Sequence, residues 1–473
     1  MIKRILLLKL SPLALCISLA SGCSSFTRTE FVAPEVAIPA SWQSVSINQQ
    51  VKLDPWWQSF NNPELNQLIE QVLTTNNDLA LATLTLRTAR LQAGLSETES
   101  YPQIGANING SKSKAFDGGG SYTEYGTNLS LSYELDLWGR VSADIDAAKW
   151  ASLASAEDRE STAQSLVATT AILYWQIGYL KQSLALSQNS IDYAQQTLDL
   201  TERQYQSGSV SQLDVFEAKR RLASEQVSNS ELQQALIEAQ NALAILYNQP
   251  PLEMPILIEK LPDGDIPIIA AGVPSDLLIR RPDIKSALYD LKSAYASKDA
   301  TFAGYLPSLT LSGSLGTSST ELKNLLSNPI GTLGANLILP FLQWNEMALY
   351  KEIASIEVES AVVNYRKTLY NAFKEVDNGI SARQHYQYQE QRLREQYDAA
   401  SAAERIYASQ YRNGAISIQV WLDSQENQRT AEVALLANRY NQFSAQATLY
   451  QALGGSDITA PISLKETSLD SSE

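Results

Sequence analysis

Residues 102–110 read PQIGANING and residues 307–315 read PSLTLSGSL. In the first stretch Ile104, Ala106, Ile108 and Gly110 alternate with Gly105, Asn107 and Asn109. In the second, Leu309, Leu311, Gly313 and Leu315 alternate with Thr310, Ser312 and Ser314. A period of two sends alternate side chains to opposite faces of a strand. Downstream, Leu129, Leu131, Tyr133 and Leu135 alternate with Ser130, Ser132 and Glu134, and Leu333, Ala335, Leu337 and Leu339 alternate with Gly334, Asn336 and Ile338. The pattern predicts two β-hairpins, over 103–136 and 308–340, with strands of about seven to ten residues and Gly- and Ser-rich loops at about 112–127 and 317–331. One apolar face and one small polar face suit strands with lipid on one side and water on the other. Four strands cannot close a barrel, and lipid tolerates no open sheet edge, so a membrane location requires several chains to share one barrel. Three chains give twelve strands, an even number within the known range.

The two stretches belong to a longer duplication. At a shift of 205 residues Asp78-Leu79 falls on Asp283-Ile284, Ala82 on Ala287, Leu86 on Leu291 and Pro102 on Pro307. At a shift of 206, Trp138 falls on Trp344, Gln204-Tyr205 on Gln410-Tyr411, Gly208 on Gly414, Ser211 on Ser417 and Leu243 on Leu449. A nearly constant offset over this length marks two copies of one unit. The reading gives a first repeat at 61–249, a Pro-rich connector at 250–274, a second repeat at 275–455 and a tail at 456–473.

Within each copy the apolar spacing then changes to steps of three and four: Thr170, Leu173, Ile177, Leu180, Leu184, Ser187, Ile191, Ala194 and Leu198 in the first, and Leu369, Phe373, Val376 and Ile380 in the second. Such steps form the seam of paired helices. Long helices are predicted at 139–207 and 344–413, each about 100 Å long at the helical rise. Shorter ones follow at 209–247 and 415–453. The turns Ser207-Gly208-Ser209 and Asn413-Gly414-Ala415 make each pair an antiparallel hairpin. The fold class is mostly α with a small β part.

Composition narrows the function. The 473 residues carry 36 Lys+Arg against 51 Asp+Glu, a formal net charge of −15, and a single histidine, His385. The acidic balance opposes a nucleic-acid surface, and one imidazole is too few for a His-based metal cage. No P-loop and no Gly-x-Ser-x-Gly elbow occurs, so neither an enzyme nor a cofactor is expected. Both cysteines, Cys16 and Cys23, lie near the start. Lys3, Arg4 and Lys9 precede the apolar run Leu10–Ala20, and Ala20-Ser21-Gly22-Cys23 follows it, the pattern of a signal peptide over 1–22. Small residues before a cysteine resemble a bacterial lipoprotein signal, with Cys23 lipidated and 23–60 an extended N-terminal segment. Aromatics at the predicted strand ends, Tyr101, Tyr133, Trp138, Tyr305, Phe341 and Trp344, match an interfacial girdle.

Together with Trp56-Trp57, Phe60, Pro63 and Asn77-Asp78-Leu79, the segments Glu134–Arg140, Pro274–Leu278, Arg280–Ile284 and Tyr305–Leu309 resemble the TolC-like outer-membrane factors of Gram-negative efflux and secretion systems, most closely the OprM- or NodT-type lipoproteins. The resemblance implies a homotrimer with a 12-stranded β-barrel among outer-membrane lipids and a helical α-barrel in the periplasm. It also implies a periplasmic membrane-fusion adaptor and an inner-membrane pump of RND or ABC type as partners. Gly208 and Gly414 correspond to adaptor-docking turns. Asp423, and Tyr411 with Asp214, correspond to the periplasmic gate. The second tip reads Gln419-Val420-Trp421 where Leu-Asp-Val is usual, so Val420 or Trp421 takes the place of an acidic ring, and Asn345 replaces a usual glycine. The competing readings are a non-channel coiled-coil scaffold or adhesin, and an adaptor-type periplasmic lipoprotein.

Overall fold

A computed structural model describes residues 28–42, 55–114, 116, 118, 120–251, 258–267 and 274–455. The expected signal peptide, Cys23 and the tail lie outside these residues. Two compact units are present, and they cut across the sequence repeats. Of the described residues, those within 28–36, 84–157 and 283–368 form one, and those within 37–83, 158–282 and 369–455 form the other. Each therefore takes a portion of both copies. No helix among the described residues is long and apolar enough to cross a membrane.

The first unit holds the sheet. Its strands are β1 (Gln103–Lys114), β2 (Ser121–Leu135), β3 (Ser308–Ser319) and β4 (Ile330–Ile338), antiparallel in the order β1-β2-β3-β4. The alternation survives pairing in register. Ile104, Leu131, Gly313 and Leu333 form one cross-strand row, and Ala106, Leu129, Leu315 and Gly331 the next. The opposite face carries Gly105, Ser130, Ser314 and Thr332, then Asn107, Asn128, Gly316 and, at the start of β4, Ile330. Ile108, Leu333 and Ile104 are at least three-quarters exposed on the apolar side. A contiguous apolar surface of this kind marks contact with lipid or another protein.

Three of the strands are longer than the alternation indicates, at 12, 15 and 12 residues. Lys112–Lys114 pair with Ser121–Thr123, and Glu124–Thr127 pair with Ile108–Ser111, although the sequence places 112–127 in a loop. Hydrogen bonding needs only backbone, so the ladder continues after the apolar alternation has ended.

The strand ends are fixed by the Glu134–Arg140 motif. Asp136 accepts from the amides of Val141 and Ser142 at 3.0 and 2.9 Å, capping α3 (Arg140–Gln206). Arg140 forks onto Glu134 at 3.1 and 2.9 Å. Gly139 takes φ 73°, which a side chain would strain. Trp138 Nε1 donates to the Pro307 carbonyl at 2.8 Å, tying the first copy's motif to the Tyr305–Leu309 motif of the second. Asn345 lies inside α6 (Trp344–Arg412), so the second copy needs no glycine there.

The second unit is helical. It takes in α1 (Pro63–Thr75), the start of α2 (Asn77–Thr98), most of α3, α4 (Gln212–Leu246), most of α6 and α7 (Ile418–Ala452). Each predicted helix boundary of the four long helices falls within three residues of the observed one. The double tryptophan is a core anchor. Trp56 stacks on Tyr450 at 4.8 Å, while Phe60, Trp175 and Phe443 meet pairwise at 4.9–5.8 Å. Each proline-free helical run has one glycine, and each glycine admits a close neighbour. A Cβ on Gly178 would stand 2.7 Å from Ile258 of the connector, and one on Gly379 would stand 3.1 Å from Leu449.

The Arg280–Ile284 motif is anchored by its second arginine. Helix α5 (Pro282–Gly304) begins before Asp283, whose carboxylate accepts from Ile284 N. Arg281, by contrast, is buried. It donates to the Ala452 carbonyl at 2.9 Å and to Glu375 at 2.8 Å.

Candidate functional site at the helical hairpin turns

Helix α3 ends in a Schellman turn: Gly208 N donates to Tyr205 O at 2.9 Å and Ser209 N to Gln204 O at 2.8 Å. The second hairpin repeats it, with Gly414 N to Tyr411 O and Ala415 N to Gln410 O, both at 2.9 Å. Gly208 and Gly414 adopt φ 76° and 73°, and open space surrounds the position of a Cβ on each. These glycines are required by backbone conformation, and they leave the turn surface smooth.

Beyond the first turn, Ser211 precedes α4 and Asp214 reaches back to it, accepting from Ser211 N at 2.8 Å and Oγ at 2.7 Å. The Ser211 hydroxyl and amide hold this carboxyl below its ordinary value. Around it Leu213 and Phe216 are exposed, whereas Val215 packs with Leu198 and Ala218.

The second tip differs. Val420 stands at the position equivalent to Asp214, so Ser417 has no side-chain cap bond. Tyr411 stacks on Trp421 at 5.0 Å and 20°, and Trp421 Nε1 donates to Glu404 at 2.9 Å. Within the described chain Tyr411 and Asp214 are therefore not joined: one is held by a ring and the other by its own helix cap. Asp423 is exposed, accepts from Gln419 at 2.9 Å and lies 3.8 Å from Arg221.

A charge network that the sequence reading missed joins α4 to α7. Arg221 reaches Glu426 at 2.7 Å, and Arg429 bonds the same carboxylate. Arg429 also covers the Tyr193 ring at 5.4 Å. Burial would raise the Glu426 carboxyl, but the charges of Arg429 and Arg221 outweigh it and hold the group below its ordinary value. Glu225 moves the other way, raised by burial and then by Glu426. Asp423, Glu426 and Arg429 are spaced by threes along one helix face, which is the only trace of this network in the sequence. Their partner Arg221 is 205 residues away from Glu426.

Two segments, 68–249 and 273–455, match the family model described as outer membrane efflux protein. The chain belongs to the outer membrane efflux protein family. The two matched segments correspond to the two repeats. The pyoverdine export outer membrane protein OpmQ of Pseudomonas putida is 30% identical over 456 residues, covering 94% of this chain and 96% of its own. The antibiotic efflux pump outer membrane protein ArpC of Pseudomonas putida is also 30% identical, covering 94% and 95%. Among solved structures, the open state of the Neisseria gonorrhoeae MtrE outer membrane channel superposes with a TM-score of 0.78 at 27% identity, covering 90% of this chain and 98% of that one. This efflux protein is thus an outer-membrane channel subunit of a Gram-negative cell, mostly α with a small antiparallel sheet.

Proposed function

We propose that three copies of this efflux protein close a 12-stranded barrel in the outer membrane and form a passive exit duct for small molecules delivered by an inner-membrane pump through a periplasmic adaptor. The observation that carries the reading is the sheet itself: four registered strands with an apolar row on one face, a polar row on the other, and β1 and β4 as unpaired edges. Lipid excludes such edges unless another chain pairs with them. Relatives are described as exporting pyoverdine and antibiotics, and a polar wall of Gly, Ser, Thr and Asn fits a duct that does not select among them.

The hairpin tips serve as adaptor dock and gate. Gly208 and Gly414 offer the smooth turns, with Leu213 and Phe216 as exposed apolar contacts. Asp423, Trp421, Val420 and the Tyr411 stack close the passage, and Asp214 stiffens the first tip by capping it. A gate of this kind is a bistable element whose open state the adaptor must favour. Lipidation at Cys23 would add a membrane anchor.

Light scattering of the detergent-extracted protein followed by planar-bilayer recording tests the reading. A trimer with low basal conductance, raised by Trp421→Ala with Asp423→Ala, is expected. A soluble monomer that passes no current overturns the duct and leaves a helical scaffold in its place.

A further inference from the structure

Although the whole chain is acidic, one small cavity at the foot of the sheet is lined by cations. Arg28, Lys298 and Lys351 surround a space of about 230 Å³, together with Thr29, Phe302 and Ser355. The one carboxylate in its wall is already engaged: Asp299 accepts from Thr29 N at 2.7 Å and from Thr29 Oγ1 at 2.6 Å. Arg28 pairs with Asp146 at 3.0 Å while remaining half exposed. Lys351 lies 4.2 Å from the Phe302 ring centroid. Neither Lys298 nor Lys351 has a carboxylate partner among the described residues. Next to the cavity, Lys292 sits among the rings of Phe31, Trp150 and Tyr289 at 4.4–5.6 Å, adding a fourth positive charge.

The position in the fold points to the ligand. Helix α5 ends at Gly304 and β3 starts at Ser308, while α6 starts at Trp344 directly after β4 and one short turn. Trp344 and Phe341 are exposed, and Tyr305 meets Tyr350, so an aromatic group stands at the sheet's foot. Such groups settle at headgroup depth. Lys351 is two helical turns from Trp344, or about 10 Å. The polar layer of a bilayer leaflet is roughly 5–7 Å deep, and a lysine stem extends far enough to place its ammonium at that layer's edge.

We propose that Arg28, Lys298 and Lys351 bind the headgroup phosphate of an anionic phospholipid in the periplasm-facing leaflet of the outer membrane. Basic pockets at the ends of membrane-spanning elements hold anionic headgroups through charge and hydrogen bonds together. The proposal rests on the outer-membrane location and is independent of the trimeric reading.

Delipidated full-length protein, titrated with short-chain phosphatidylglycerol and followed by native mass spectrometry, tests it. The expected result is saturable binding that weakens at least tenfold in Lys298→Glu with Lys351→Glu. Lys323→Glu, at the opposite end of β3, should leave binding unchanged. Inorganic phosphate at equal concentration should not displace the lipid, and uncharged diacylglycerol should not compete. Unaltered lipid binding in the double variant overturns the site. So does full displacement by inorganic phosphate, which would make the ligand a free anion, or equal binding of diacylglycerol, which would make the contact purely apolar. Unheated gel migration reports folding, and Lys298→Gln with Lys351→Gln replaces the charge reversal if that variant does not fold; it too should weaken binding.

Discussion

Position 420 separates the two tips chemically. At the equivalent position in the first copy, Asp214 closes a capping box with Ser211; Val420 offers the second helix nothing, although Ser417 is in place to be capped. Val420→Asp is expected to stabilise α7 by about 0.5–1 kcal/mol, read as a higher midpoint of thermal unfolding; a lowered midpoint would show that valine packs against something more valuable than a cap. The gate chemistry was only partly legible at this scale. Gly208 and Gly414 could be read from turn chemistry, since few other residues accept a positive φ. The Tyr411 and Asp214 pairing suggested by family resemblance is not formed within the chain, because a carboxylate three residues from a serine N-cap is captured by the nearer donors. Tyr411→Phe preserves the stack on Trp421 and removes only a hydroxyl. It should therefore leave basal conductance unchanged, and an increased leak would reveal a bond from that hydroxyl to another copy.

Between elements, buried polar contacts do what apolar periodicity cannot. Arg281, directly before α5, bonds to the last turn of α7 and to Glu375 on α6. Arg281→Ala leaves the buried Ala452 carbonyl without this donor and should cost about 1–3 kcal/mol; Arg281→Lys, lacking the planar fork, should restore less than half in a denaturant midpoint. The Glu426 network makes a second test with opposite signs. Its carboxyl ionises below the ordinary 4.5, so its ion pairs add stability above that value and lose it as pH falls through the lower folded value. For Glu225 the folded value is raised, so its ionised form opposes folding and acid relieves it. Near neutral pH Glu426→Gln should lower the thermal midpoint and Glu225→Gln should raise it. At a pH of about 3 both differences should shrink; shifts of the same sign at neutral pH would refute the assignment. Such contacts were invisible in advance because their partners are as many as 205 residues apart, whereas the helices announced themselves through local spacing. The strands were legible only where one face is apolar, since hydrogen-bonded pairing of polar residues such as Ser113 with Tyr122 leaves no periodic trace.

For the molecule as a whole, the question is what covers the sheet's edges and apolar face. Apart from Cys16 and Cys23 the chain has no cysteine, so disulfides cannot brace the barrel or the helices. Cohesion must come from packing, backbone pairing and the joining of copies. Barrel closure by three chains converts every edge N–H and C=O into an interstrand bond, and lipid makes breaking any of them expensive. The assembled oligomer should therefore resist dodecyl sulfate at room temperature and fall to monomers on boiling, and reductant should change neither band. A single monomer band without heating, in protein whose helix content is intact by circular dichroism, would mean that four strands suffice without partners, and the trimeric duct would have to be abandoned. A band shift with reductant would instead place a cysteine at the interface and locate Cys16 or Cys23 in the assembled protein.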